Sequence, residues 1–238
     1  MKEIAQLALA VHLRDDETFD SFQGELNQVA VAQLKHFLQN SFAVERDEQP
    51  NSFYLFGTQG AGKSHLLQAC CTLAEESGKS SLCLSFSELK DLSVEVLDGL
   101  ENIDLICLDN LQLIANDKLW QQAVFDLFNR ITEQNKAIII SGDESANKLG
   151  ITLPDLASRL TWGFTEQVKA PDDGEKLKIL QYRALQRGLV LHEDAAKFLL
   201  NRLDRNMNTL IESLDLLDKA SIREQRKITI PFIKDILL

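Results

Sequence analysis

Residues 53–64 of this chain read Phe-Tyr-Leu-Phe-Gly-Thr-Gln-Gly-Ala-Gly-Lys-Ser, and no other stretch restricts the possible folds as tightly. Gly57, Gly62, Lys63 and Ser64 meet the pattern G-x-x-x-x-G-K-[ST] without a mismatch, and Gly60 adds a third glycine inside it. Phe53–Phe56 is a short apolar run with the character of a buried strand, and residues 65–74 have that of a helix ended by Gly78. A strand must therefore deliver the chain into a tight glycine turn that opens directly into a helix. Such a turn points successive backbone N–H groups inward around an anion, and the helix N-terminus adds partial positive charge. Lys63 has the reach for β/γ-phosphates, the Ser64 hydroxyl can ligate Mg²⁺, and His65 follows at the start of the helix. An ordinary glycine-rich turn is the competing reading, but the strand before and helix after argue for a nucleoside di- or triphosphate site.

The rest of the chain fits an α/β domain built on that unit. Gln28–Phe42 carries Val29, Ala32, Leu34, Phe37 and Leu38 at helical spacing. Further apolar strands are expected at 81–86, 103–110, 137–142 and 163–168. Helices are expected at 87–100, over the amphipathic run from Trp120 to Ile131, and at 153–160. Strands alternating with helices indicate a parallel five-stranded sheet covered on both faces. The segment Ala170-Pro-Asp-Asp-Gly174 breaks the alternation, and no strand signal follows. Helices are expected at 175–187, 193–203, 208–223 and 230–238, the last with Thr229 as its cap and Pro231 tolerated in its first turn. The expected organisation is an N-terminal extended segment (1–14), a P-loop α/β core (15–170) and a small all-α lid (171–238).

Charge and cysteines narrow the setting. The formal charge of −11 argues against broad electrostatic attachment to DNA or to an acidic membrane. Cys70, Cys71, Cys83 and Cys107 lie in apolar segments without C-x-x-C spacing, as small hydrophobes of a reducing compartment. No apolar run approaches the roughly 18 residues of a membrane span, and no secretory signal is expected, so a cytoplasmic protein is anticipated.

Several positions around the phosphate carry chemistry. Asp109 ends an apolar strand, where its carboxylate would share the Mg²⁺ shell with Ser64. Asn110 follows it, and an amide cannot accept a proton from water as a carboxylate can; slow turnover in the chain's own site is the expectation. Ser141 and Asp143, after the fourth strand, either shape a turn or contact a γ-phosphate. Phe19 and Phe22 either pack in the core or stack near a base. Arg159 is either a surface charge or a cation aimed across a subunit boundary at a neighbour's phosphate, a role that suits a planar guanidinium. The alternation Leu7, Leu9, Val11, Leu13 suits an extended segment that packs on the domain or docks into another protein.

Taken together, these motifs resemble an AAA+ nucleotidase. Thr18-Phe-Asp-Ser-Phe22, Asp155-Leu-Ala-Ser-Arg-Leu-Thr-Trp-Gly163 and Arg226-Lys-Ile-Thr-Ile-Pro-Phe-Ile233 narrow the resemblance to the bacterial initiator DnaA over nearly the whole chain. The initiator's basic DNA-binding domain has no counterpart in residues 1–238, which places the chain among DnaA-homologous regulators. The resemblance implies an ADP-bound protein (ATP or another nucleoside phosphate being possible) with Mg²⁺, docked on the sliding clamp, the β subunit of DNA polymerase III. It implies contact with ATP-bound DnaA and stimulation of its hydrolysis, with Arg159 as the arginine finger supplied in trans. It also implies that Gln6, Leu7, Leu9 and Val11 enter the clamp, that DNA is reached only through the clamp, and that no membrane is involved. Val11 and Ala10 depart from the Leu or Phe and the Pro common in that clamp motif. Asn208 stands where the family carries a lid sensor Arg, with Arg205 nearby as a substitute. Self-association through the face that would meet DnaA stays open. Two rival readings are an AAA+ helicase loader, for which the fifty-odd residues before the P-loop leave little room, and a P-loop small-molecule kinase, which would need a basic lid.

Overall fold

The computed structural model describes residues 17–43 and 49–238. The expected docking segment, including Gln6, Leu7, Leu9 and Val11, lies outside the described residues. Strands β1 (Ser52–Phe56), β2 (Ser81–Ser85), β3 (Leu105–Asp109), β4 (Ala137–Gly142) and β5 (Phe164–Gln167) form one sheet in the order β2-β3-β4-β1-β5. Every pairing is parallel, with Phe56 opposite Gly142 and Ser85 opposite Asp109 at the carboxyl ends.

Alternation along the strands divides the core in two, because successive side chains leave a strand on opposite faces. Phe53, Leu55, Leu105, Cys107 and Ile139 join one buried cluster with helices α1 (Gln28–Phe42) and α2 (Lys63–Glu76). Tyr54, Ile106, Leu108, Ile138 and Ile140 join the other, against α4 (Lys118–Glu133) and α5 (Pro154–Trp162). With β1, β3 and β4 sandwiched on both faces, their sequences read as continuous apolar runs rather than alternating ones.

One expected helix is largely absent. Only Phe86–Leu89 (α3) of the stretch 87–100 is α-helical, followed by 3₁₀ turns at Val94–Leu97 and Leu100–Asn102. Ser93 and Asp98 are extended and Gly99 has φ +81°, so the backbone repeatedly leaves helical geometry. The segment is held by tertiary contacts instead: Arg130 on α4 donates to the Leu97 carbonyl at 3.0 Å and to Glu101 at 3.1 Å. The third strand also ends one residue early, because Asn110 adopts a left-handed conformation (φ +63°).

The last four helices are α6 (Asp173–Gln186), α7 (Glu193–Arg202), α8 (Met207–Glu224) and α9 (Ile230–Leu237). They share a separate core that includes Leu180, Leu199, Leu214 and Phe232. Three of them, α6, α8 and α9, start on a side-chain cap. Asp172 and Glu175 form a reciprocal capping box on α6, and Thr229 accepts from the Phe232 N–H at the start of α9. This bundle meets the sheet domain at the carboxyl ends of the strands, the edge where open parallel sheets bind ligands.

Candidate nucleotide site

The glycine turn between β1 and α2 is shaped by close approach as well as by dihedral freedom. A Cβ on Gly57 would lie 2.1 Å from the Val168 carbonyl oxygen. Gly62, at φ +100°, sits so close to Phe22 that a Cβ would fall 2.8 Å from its ring. A bulkier residue at either position would displace the loop. Lys63 is buried, and its Nζ donates to the Gly57 and Thr58 carbonyls at 2.6 and 3.1 Å. Burial lowers its pKa, while Asp109 and Asp143 pull the other way by stabilising the charged form.

Asp109 is more fully partnered than a strand-ending carboxylate suggests from sequence. Its Oδ2 accepts from Ser64 Oγ at 2.6 Å and from Asn110 Nδ2 at 3.1 Å. Its Oδ1 accepts from the Asn110 backbone N–H at 3.0 Å and from the Ser141 hydroxyl. The left-handed turn at Asn110 is what brings the amide and the backbone N–H of one residue onto the same carboxylate. The Asn110 amide also donates to Ser85 Oγ at 3.0 Å. Ser141, for which the sequence leaves a turn and a phosphate contact both open, is completely buried beneath Asp109 and donates to it. Asp143 does line the cavity.

That cavity measures about 730 Å³ and runs from the glycine loop between sheet and lid. Gly60, Gly62, Lys63, Ser64, His65, Asp109 and Asn110 form its polar floor. Phe22 and Ile179 contribute apolar wall, and the lid adds Met207 and Asn208 from α8. The structure separates the two aromatics paired in sequence. Both pack against the α1–α2 cluster, but Phe22 also stands in the cavity wall, edge-on to His65 with ring centroids 5.2 Å apart, whereas Phe19 lies beneath Lys35. Of the two lid candidates, Asn208 reaches the cavity. Arg205 is largely exposed and pairs with Asp173 at 3.1 Å. Arg159 stands apart from this cavity, in a shallow pocket with Phe125, Asp155, Ser158 and Trp162. Its guanidinium lies 5.9 Å from the ring centroids of both Phe128 and Trp162, and Trp162 is itself exposed.

The residue missed in the sequence is Arg183. It is 4% exposed, projects from α6 into the cavity wall, and its Nη2 contacts His65 Nδ1 at 2.9 Å. A signal existed: between Leu180 and Ala184, an arginine occupies the apolar stripe of α6, where a cation requires a partner. Among the described residues no group of three or more His, Cys, Asp or Glu side chains could hold a metal ion, and no helix is long and apolar enough to cross a membrane. The four cysteines are unpaired thiols, three of them buried.

The parallel sheet, the glycine loop opening into α2, the acidic end of β3 and the helical lid together define an AAA+ P-loop nucleotidase. Comparison with known proteins agrees. The sequence model of the bacterial DnaA ATPase domain matches residues 13–167, and that of the Hda lid domain matches residues 173–237. The chain belongs to the bacterial DnaA ATPase-domain family and carries a lid of the Hda type. Domain III of DnaA from Thermotoga maritima superposes with a TM-score of 0.76 at 20% identity, over 93% of this chain and 95% of that one. DnaA from Aquifex aeolicus, described with AMPPCP bound, gives 0.67 at 24% identity, over 90% of this chain and 71% of that one. The Thermotoga maritima RuvB branch-migration motor gives 0.65 at 14% identity, over 93% and 71%. These likenesses are of fold.

Proposed function

We propose that the chain is a nucleotide-bound negative regulator of replication initiation, which stimulates hydrolysis of ATP held by DnaA while docked on the sliding clamp. The observation that carries this reading is the separation of Arg159 from the chain's own nucleotide cavity. A guanidinium on the last turn of α5, braced by Phe128 and flanked by the exposed Trp162, is available to a neighbouring molecule and not to its own site. In trans its charge would stabilise the negative charge that develops on the transferred phosphoryl group. Family membership and the Hda-type lid favour DnaA as that neighbour.

In its own site the chain would hold ADP, with Lys63 and the loop N–H groups on the phosphates. Ser64 Oγ and the Asp109 carboxylate are hard oxygen donors 2.6 Å apart, a set that suits Mg²⁺ completed by water and phosphate. When bound, Mg²⁺ would neutralise phosphate charge. The commitment of Asn110 as a hydrogen-bond donor to Asp109 supports holding a nucleotide over hydrolysing it, because no second carboxylate is positioned there to take a proton from water. Residues 6–11 are assigned to the clamp on sequence alone.

The decisive assay follows hydrolysis of DnaA-bound ATP in the presence of clamp loaded on DNA. The intact chain should stimulate it. Arg159→Ala should reduce stimulation by about 10³-fold or more, the scale of an arginine finger, with ADP affinity unchanged. Deletion of residues 6–11 should abolish stimulation while leaving ADP binding intact. No stimulation by the intact chain would reject the proposal.

A further inference from the structure

Three thiols meet between the helix that follows the glycine loop and the outer edge of the sheet. Cys83 on the edge strand β2 stands opposite Cys107 on β3 in the strand register. Both lie on the sheet face that α2 covers, in or against the buried cluster that includes Cys71. Cys71 completes the group from α2, with its Sγ 3.8 Å from that of Cys107. Its backbone carbonyl accepts from Ser81 Oγ at 3.3 Å, which holds this turn of the helix against β2, and its thiol shares a hydrogen bond with Cys83.

The three differ in access. Cys71 and Cys107 are buried, whereas Cys83 is only partly so and lines the nucleotide cavity. A reagent entering the cavity therefore meets one thiol, and that thiol has a second behind it. An accessible attacking thiol backed by a resolving one is what thiol–disulfide exchange requires. The protons are unequally held as well. Hydrogen bonds shared with Cys107 and Cys83 favour the Cys71 thiolate and pull its pKa well below the usual thiol value. The same bond to Cys71, with burial, pushes Cys83 up. Cys71 is thus placed first as the base for Cys83 and then as a nucleophile.

We propose that Cys83 and Cys71 form a thiol–disulfide exchange site that takes small disulfides through the nucleotide cavity. In the first step Cys83 Sγ attacks one sulfur of the reagent and passes its proton to Cys71. A mixed disulfide forms on Cys83, the reagent's S–S bond breaks, and the departing thiolate takes the proton on from Cys71. In the second step the Cys71 thiolate attacks Cys83 Sγ, forming the Cys71–Cys83 bond and expelling the second thiolate, which solvent protonates. Two protein thiols are oxidised and one small disulfide is reduced to two thiols. The new bond ties α2, which opens with Lys63 and Ser64, to β2. This inference does not rest on which nucleotide the chain holds.

The test treats the folded full chain with oxidised glutathione, quenches in acid, unfolds, alkylates the remaining thiols and maps the peptides by mass. The expected product is an intramolecular Cys71–Cys83 link with Cys70 and Cys107 alkylated, and dithiothreitol should reverse it. Cys71→Ser should stop at glutathione bound to Cys83, and Cys83→Ser should lose both products. Urea unfolding of each reduced variant checks folding. Should a variant fail to fold, a time course on the wild-type chain decides, with glutathione on Cys83 expected to precede the link. Failure of the folded wild type to react at Cys83 would overturn the inference. So would a link between Cys71 and Cys107, or any link that persists in folded Cys83→Ser.

Discussion

Asn110 shows how much one side chain decides at this site. Its left-handed backbone, tolerated by Asn at modest cost, lets one residue satisfy both oxygens of Asp109. In Asn110→Asp, one of those donors becomes a second carboxylate beside the first. The expected outcome is a loss of about 1–3 kcal/mol in EDTA, largely restored by Mg²⁺, together with ATP turnover above that of the parent chain. Urea melts with and without Mg²⁺, and a phosphate-release assay, check both parts. Asp104 offers a test against pH at the far edge of the sheet. A hydrogen bond from Lys136 at 2.5 Å, assisted by Ser80, holds its carboxyl at about 2, below the usual 3.8. A depressed carboxyl contributes stability above its unfolded pKa and loses it as pH falls through the folded one. Asp104→Asn should therefore cost up to about 1 kcal/mol at pH 7. The two proteins should converge in stability as pH falls from about 4 to about 2, measured by denaturant midpoints across that window.

Among the elements, α4 and the loops around it depend on Gln121, which is completely buried. Its amide donates to the Ile114 and Ala115 carbonyls at 3.0 and 2.6 Å. Its oxygen accepts from the Thr152 and Leu153 N–H groups at 3.0 and 2.9 Å. One side chain thus pins the turn after β3 to the segment that starts α5, the helix bearing Arg159. Gln121→Leu, similar in volume but unable to pair, leaves these backbone groups unsatisfied and should cost about 2–4 kcal/mol. Urea unfolding measures the loss. The helix expected at 87–100 failed for a related reason. Its apolar residues have helical spacing, but Ser93, Asp98 and Gly99 break the backbone pattern, and contacts from α4 hold the segment in turns.

For the whole molecule, the cavity between sheet and lid makes stability depend on ligand. Mg·ADP at about one hundred times its Kd should stabilise the chain by about 2.7 kcal/mol. A thermal shift seen in the wild type and lost in Lys63→Ala is the expected result. The sheet, the glycine loop, α2 and the four lid helices were legible because their signals are local. Apolar runs, helical periodicity, capping residues and the spacing of Gly57, Gly62, Lys63 and Ser64 are short-range properties that adjacent residues impose on one another. Asp109 could be named from its place at a strand end, although not the donors that satisfy it.

What the tertiary structure alone decided is which distant side chains meet. Arg183 and His65 are 118 positions apart and touch only because the lid packs over the strand ends. Phe22 and Phe19 are three residues apart and both pack against the α1–α2 cluster, yet of the two only Phe22 lines the cavity. Ser141 and Asp109 are brought together by the β3–β4 pairing, a buried contact that neither residue's own neighbourhood in the sequence indicates. Periodicity specifies which face of an element is apolar, and it carries no information on what that face, or a polar residue at its edge, will encounter. The chain's local chemistry therefore determined that a phosphate cradle would form, and packing between sheet and lid determined which residues enclose it.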